Sequence, residues 1–290
     1  MKINNAVILA AGYSSRFVPI CFDKPKGLLV VKGETMIERQ IRQLNEVGIH
    51  DIYVVTGAYC EQFAFLAKKH NVNLIYNPDY DTKNNFASFY AARNVLGNTL
   101  ISSSDLYFPR NIFVSKAEHP YYAAVFNPGK TTQRCLTLDP DDKIIATSYS
   151  GQDCWITFGG HAVLSKDISK KLLGYIQPIY DKPEFKNKYW VDFQDEHLLE
   201  CPMYAKRLDV TDIVEFNTLA ALKNFDKNFK AQEQSNTMQF ICQQLNCSEE
   251  DLNDFLPVKD GNKAIGCSFY LNRKKYIYLN TLKQLELAHD

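Results

Sequence analysis

The order of strand, small-residue loop, helix and strand over the first 57 residues constrains this chain more than any other feature. Residues 6–9 form a short apolar run of the kind that makes a strand, and Ala10-Ala11-Gly12-Tyr13-Ser14-Ser15-Arg16 breaks it. Met36, Ile37, Ile41, Leu44 and Val47 then recur at spacings of three and four, the period of an amphipathic helix, and Gly48 supplies a stop. A second apolar run at 52–55 ends at Thr56-Gly57. This order is a βαβ crossover, which requires parallel strands and a right-handed connection. The alternation continues with a helix over 63–69, a strand over 72–76, a helix over 86–96 and a strand that ends in Ser102-Ser103-Ser104-Asp105. An α/β sheet sandwiched by helices follows.

From residue 121 to 162 the texture changes to short β-type runs (YYAAVF, KIIAT, WITF). They are separated by the turn signals Asn127-Pro128-Gly129 and Asp139-Pro140-Asp141-Asp142. These runs extend the sheet and build a cover for a second substrate. Helices are expected over 167–176 and 213–225. The polar stretch 226–236 reads as a linker, which divides the chain into a domain at 1–228 and a small unit at 229–290. In that unit Ser248-Glu249-Glu250-Asp251 opens a helix, with acids where the helix dipole favours them. CSFYLN and KKYIYL then form two strands around Asn272-Arg273-Lys274.

With 46% hydrophobic residues among 290, the chain can bury a sizeable core. Lys+Arg and Asp+Glu are equal at 33, so no broad basic face for nucleic acid or membrane is expected. None of the eight cysteines forms a C-x-x-C pair, which argues against a zinc site. No secretory signal and no apolar run near the ~18 residues of a membrane span is visible, so a cytoplasmic protein with reduced thiols is expected.

The loop after the first strand carries the chemistry. A glycine and small residues there let a nucleotide approach the backbone, whose N–H groups can cradle phosphate. Arg16 and Lys26, the latter within Lys24-Pro25-Lys26, add two cations. Attack on the α-phosphate of a nucleoside triphosphate builds charge that preorganised cations and a metal ion stabilise. The loop is neither a G-x-G-x-x-G nor a Walker pattern. Lys26 is expected to be a solvent-reachable loop lysine.

Leu9-Ala10-Ala11-Gly12 through Arg16, Pro19, Pro25 and Lys26 resembles the L-A-A-G-x-x-S-R-x-x-P…P-K signature of the nucleotidyltransferases that make sugar nucleotides and CDP-alcohols. Within them the chain is most similar to the bacterial phosphocholine cytidylyltransferases. Three further segments share in that likeness: Asn84-Asn85-Phe86, with Lys83 where the family stretch has Tyr; Ser103-Ser104-Asp105; and Glu184-Phe185 with Tyr189-Trp190. The likeness covers about residues 3–225. It implies a GT-A-like αβα sandwich with a mainly parallel mixed sheet, plus the small C-terminal α+β appendage. CTP is the implied donor, Mg²⁺ the cofactor and a small phosphorylated amino-alcohol the acceptor.

By position, Arg16 and Lys26 hold the triphosphate. Leu9, Ala10, Ala11, Gly12, Ser14, Ser15, Gly57, Asn84 and Asn85 hold the nucleotide. Asp105 binds the metal with Asp212, or with Asp209 in its place, and the alternative reading of Asp212 is the cap of a helix that starts at Ile213. Tyr189, Trp190, Asp192 and Glu184 offer aromatic faces and carboxylates to an ammonium group, against the alternative of an aromatic patch packed in the core. Arg134 stands where the family's acceptor side has an aromatic residue, which points to an acceptor phosphate, phosphonate or carboxylate. Phosphoethanolamine, 2-aminoethylphosphonate and sugar 1-phosphates are the other acceptors this scaffold admits, and a non-catalytic nucleotide sensor or scaffold is the reading from another class. The segment 258–280 resembles the opening hairpin of choline-kinase-like enzymes, without an H-x-D loop to follow. A remnant, a homodimerisation element and a generic hairpin are the readings of that tail.

Overall fold

The computed structural model describes residues 1–288. In chain order it begins with β1 (Asn5–Ala10), a short hairpin of β2 (Val30–Val31) and β3 (Glu34–Thr35), α1 (Met36–Glu46) and β4 (Ile52–Thr56). Next come α2 (Cys60–Phe63), α3 (Phe65–His70), β5 (Asn73–Tyr76), α4 (Asn85–Ala91), β6 (Thr99–Ser103) and β7 (Leu106–Tyr107). Four longer strands follow: β8 (Tyr121–Thr131), β9 (Arg134–Leu138), β10 (Ile144–Ser148) and β11 (Gly151–Leu164). After α5 (Lys166–Ile176), α6 (Trp190–Asp195), β12 (Tyr204–Leu208), β13 (Val214–Glu215) and α7 (Leu219–Phe225), the chain closes with α8 (Ala231–Gln234), α9 (Asn236–Leu245) and β14 (Leu252–Asp260) to β15 (Lys263–Leu271), β16 (Lys274–Leu279) and β17 (Gln284–Leu287).

These elements form two compact units. One is Met1–Ala11 with Arg39–Glu215; the other is Gly12–Glu38 with Phe216–Asp290. The division differs from the 1–228 and 229–290 split that the polar stretch suggests. That stretch carries α8 and the start of α9 and is not a linker: Ser235 caps α9 by accepting from the Met238 N–H, and Ser235 and Thr237 both donate to Asp23.

The larger unit holds a nine-stranded sheet with the path β10-β9-β11-β6-β1-β4-β5, β8 and β12 joining beside β11. β1 pairs in parallel with β4 and β6, as the βαβ reading requires. β11 turns the sheet mixed by pairing antiparallel with β6, β8 and β9. All six residues of β1 are buried, which is why residues 6–10 are continuously apolar and do not alternate. The Asn127-Pro128-Gly129 signal does not reverse the chain. It lies within β8 as a bulge against β11, where Gly129 has φ +83° and its N–H donates to Asp153 at 2.7 Å.

The smaller unit has its own four-stranded antiparallel sheet in the order β14-β15-β16-β17, two strands more than the sequence suggests. The expected helix at 248–251 is a turn. Ser248 donates both its N–H and its hydroxyl to Asp251, the local bonding that draws Ser and Asp away from helices. Glu249 serves another helix instead: its buried carboxylate accepts from the N–H groups of Ala231 and Gln232 at the start of α8 and pairs with Lys223.

His161 on β11 is fully enclosed among Phe108, Phe113 and Tyr121, and neither ring nitrogen has a partner among the described residues. Burial drives its pKa down to about 3, with the Lys206 charge adding to the effect. The folded state therefore refuses the proton that the unfolded chain takes up below about pH 6.5. Stability is full above that pH and falls as pH drops toward 3. At pH 5 the loss from this group is about 2 kcal/mol. His161→Phe is expected to remove it, seen as a flatter plot of urea-unfolding free energy against pH; an unchanged slope between pH 7 and 5 contradicts the assignment.

Candidate active site

Asp105 follows the end of β6, at the carboxyl edge of the parallel strands, where α/β folds place their sites. The turn that carries it is pinned from several sides. Ser103 donates to its Oδ1 at 2.5 Å. The Ser104 N–H donates to the Leu9 carbonyl at 2.9 Å. Gln40, on the buried face of α1, donates to the carbonyls of Ser103 and Leu106 at 2.9 and 2.8 Å and accepts from Ser102 at 2.7 Å. Gln43 holds the Phe108 carbonyl one turn further on. A polar stripe on an otherwise apolar helix face thus fixes the metal-binding candidate, and only the two glutamines at buried positions could have signalled it.

β7 pairs with β13 in the register Leu106 with Glu215 and Tyr107 with Val214. Glu215 therefore lies across the ladder within one residue of Asp105, a carboxylate absent from the sequence-based set. Asp212 has a different environment. Both of its oxygens accept from the Arg110 guanidinium, and one also accepts from the Asp209 N–H. The Arg110 hydrogen bonds hold its carboxyl below the usual carboxylate range. It caps no helix either, since α7 starts six residues later than expected and is capped by Thr218. Asp209 is tied to Thr211 through the backbone N–H and the hydroxyl, bonds that lower its pKa. The β7–β13 register brings Asp105 and Glu215 to neighbouring positions, and carboxylate oxygens are the hard ligands Mg²⁺ prefers. Among the described residues no larger cluster of three or more His, Cys, Asp or Glu groups gathers as a metal site.

Gly57 is required where it stands: a Cβ there would meet Tyr80 Cβ at 2.6 Å and the Ala11 carbonyl at 2.7 Å. That close approach lets the Ala58 N–H donate to Ala11 at 3.0 Å, joining the end of β4 to the start of the signature loop. Leu9, Ala10 and Ala11 are buried there.

Asn84 and Asn85 are joints. Asn84 caps α4 and donates to the Asn187 carbonyl at 2.9 Å, and Asn85 accepts from the Trp190 N–H at 3.0 Å. The Asn84 amide nitrogen and the Asn85 side-chain oxygen tie α4 to the start of α6, while the Asn84 oxygen is committed to the cap. Lys83 nearby lies 3.6 Å over the Tyr180 ring and bridges Asp79 and Asp181. This aromatic and acidic cage is taken by the chain's own ammonium group.

The acceptor candidates separate into two groups. Trp190 is 0% exposed and stacks on Phe89 with centroids 5.2 Å apart. It is a core residue, so the packed-patch alternative holds and Trp190 offers no face to a ligand. Arg134 is 4% exposed, and every nitrogen of its guanidinium donates, to Asp195, Gln194 and Thr157. With Tyr122 beneath it at 4.7 Å, it is a buried ion pair and not an acceptor ligand. Tyr189 is 48% exposed and Glu184 is exposed, while half-buried Asp192 accepts from Tyr149 at 2.8 Å and from the Tyr189 N–H at 2.7 Å.

In the smaller unit the signature loop turns at Ser14, which adopts φ +55°, a left-handed conformation costly for a residue with a side chain. Ser14 Oγ accepts from the Lys26 N–H at 3.1 Å, and the Phe17 N–H donates to the Ser14 carbonyl at 2.8 Å. Gly12 and Arg16 are exposed, and Ser15 is half-buried. Lys26 is not the solvent-reachable lysine of the sequence reading. It is 5% exposed, with its ammonium donating to the Phe216 carbonyl and lying 4.9 Å from the Phe17 ring.

The family model for the MobA-like NTP transferase domain matches residues 6–165. The chain belongs to that family. It is a nucleotidyltransferase with the expected mixed, mainly parallel sheet and flanking helices. A choline-phosphate cytidylyltransferase of Streptococcus pneumoniae is 29% identical over 228 residues, 78% of this chain and 98% of that protein. A 2-aminoethylphosphonate cytidylyltransferase of Lancefieldella rimae is 31% identical over 229 residues, 78% of this transferase and 93% of the relative. The solved CTP:phosphocholine cytidylyltransferase of S. pneumoniae superposes with a TM-score of 0.73 at 27% identity, covering 78% of this transferase and 99% of that chain. The kinase-like likeness of the tail finds no support in these matches. Among the described residues no helix of the transferase is long and apolar enough to cross a membrane.

Proposed function

We propose that this transferase moves CMP from CTP to a small phosphorylated amino-alcohol, with phosphocholine the leading acceptor and pyrophosphate the second product. The observation that carries the reading is the pinned Asp105 turn with Glu215 across its ladder, on a chain that matches nearly the whole length of two cytidylyltransferases. Arg16 and Lys26 neutralise the triphosphate, and the backbone from Leu9 to Ser15 cradles it. Asp105 and Glu215 would hold Mg²⁺, which when bound would polarise the α-phosphate and offset the charge of the leaving pyrophosphate. The protein supplies no covalent nucleophile, because an acceptor phosphate oxygen attacks directly.

A 2-aminoethylphosphonate acceptor is the second reading. It is favoured by the burial of Trp190, which removes an aromatic face that a quaternary ammonium would need and leaves Asp192 at the Tyr189 and Tyr149 edge, where a primary amine can donate hydrogen bonds. Calorimetric titration of the protein with CTP, UTP, ATP and GTP in Mg²⁺ tests the donor. CTP is expected to bind at least about tenfold more tightly, a difference of ~1.4 kcal/mol; equal binding of all four contradicts the proposal.

A further inference from the structure

The signature loop and the C-terminal sheet belong to one compact unit. Ser15 Oγ donates to the Asn262 carbonyl at 2.8 Å, and Lys263 Nζ lies 5.9 Å from the centroid of the Tyr13 ring. Both contacts come from one hairpin turn. Asp260 and Lys263 pair across β14 and β15, so Gly261 and Asn262 form a two-residue loop, and Gly261 has the positive φ, +56°, that the first position of such a turn favours. The turn projects from a braced sheet: Tyr278 on β16 meets Phe22 and Phe240 with centroids 6.0 Å apart in each case, and Cys267 and Phe269 on β15 are fully buried. Asp23, between the loop's two cations in sequence, is held by Ser235 and Thr237 at 2.6 and 2.8 Å.

The 228 residues matched by the S. pneumoniae relative account for 98% of that protein and 78% of this one. The family model ends at residue 165, well before the C-terminal sheet, and the relative leaves the rest of this transferase unmatched. We propose that this sheet is part of the nucleotide site, with the Asn262 carbonyl fixing the signature loop and Lys263 adding a third cation for the triphosphate. The inference rests on the reading of the loop as the triphosphate cradle. A triphosphate carries more negative charge than Arg16 and Lys26 offset, and the Lys26 ammonium is bound to the Phe216 carbonyl. Lys263 is exposed on a two-residue turn beside the loop, so its ammonium group can reach an anion there at the cost of ordering its own side chain.

The test uses the full chain, with initial rates against CTP at fixed Mg²⁺ and acceptor. Lys263→Ala, at an exposed position that contributes little packing, is expected to raise the KM for CTP about three- to fivefold, the range of one exposed charge contact. It should leave kcat and the acceptor KM within about twofold, and should weaken the salt dependence of the CTP KM. Lys263→Arg should restore the wild-type value. Asp260→Ala, which alters the same turn at the opposite charge, should not raise it. An unchanged CTP KM in Lys263→Ala overturns the proposal while leaving the donor assignment standing, and so does an equal rise in both substrates' KM. A wild-type protein that binds no CTP at all overturns both.

Discussion

Asp105→Asn and Glu215→Gln should each lower kcat by roughly 10²–10³-fold, while Asp212→Asn should leave kcat within about threefold and lower stability instead. Residue 105 sits in a turn held by Gln40 and Ser103, and residue 215 pairs with Leu106, so the two acidic residues occupy neighbouring positions at the β7–β13 ladder. Each substitution removes a negative charge and one hard oxygen ligand with almost no change in volume. The fold should survive, and the Mg²⁺ concentration for half-maximal rate should rise in both variants. Asp212 faces Arg110 instead, and its neutral amide would forfeit a charge-assisted bidentate pair. A large kcat loss in Asp212→Asn with full activity in Glu215→Gln would return the metal to the residue chosen from sequence.

The largest expected effect on stability belongs to Arg134. Arg134→Met should cost about 3–5 kcal/mol, because Asp195 is then left as a nearly buried carboxylate with no counter-charge. The midpoint of thermal unfolding should drop by roughly 10 °C in a chain of this size. The double variant Arg134→Met with Asp195→Leu should recover most of that loss, since removing both charges also removes the desolvation penalty. Activity per folded molecule should stay close to wild type in the double variant, as neither group touches the acceptor. A selective rise in acceptor KM, with stability within about 1 kcal/mol of wild type, would contradict the structural reading of this pair.

These two expectations show which parts of the molecule could be read from its residues. The βαβ opening was legible because period and burial coincide: the stripe Met36, Ile37, Ile41, Leu44 and the unbroken run of β1 each admit one reading. The signature loop was legible because its residue types are dictated by the chemistry of phosphate. Glu215 was not, because its place depends on a ladder two residues long that no local pattern announces. Gln40 was hidden for a similar reason, since a polar residue on an apolar helix face reads as an interruption until its partners across the chain are known. Trp190 and Arg134 were over-read. An aromatic or a guanidinium in a plausible segment looks like a ligand group, and only burial and bonding show that Phe89 and Asp195 already satisfy them. In the tail, Ser248 to Asp251 has the composition of a helix start, yet local side-chain hydrogen bonds and the needs of α8 take those groups first.

The most direct measurement is pyrophosphate release in Mg²⁺, with CTP set against ATP, GTP and UTP and with phosphocholine, phosphoethanolamine, 2-aminoethylphosphonate and glucose 1-phosphate as acceptors. The expected result is release that requires CTP together with a phosphorylated amino-alcohol or an aminoalkylphosphonate, fastest with phosphocholine. Release confined to the sugar phosphate, or tight CTP binding with no release from any pair, would contradict it.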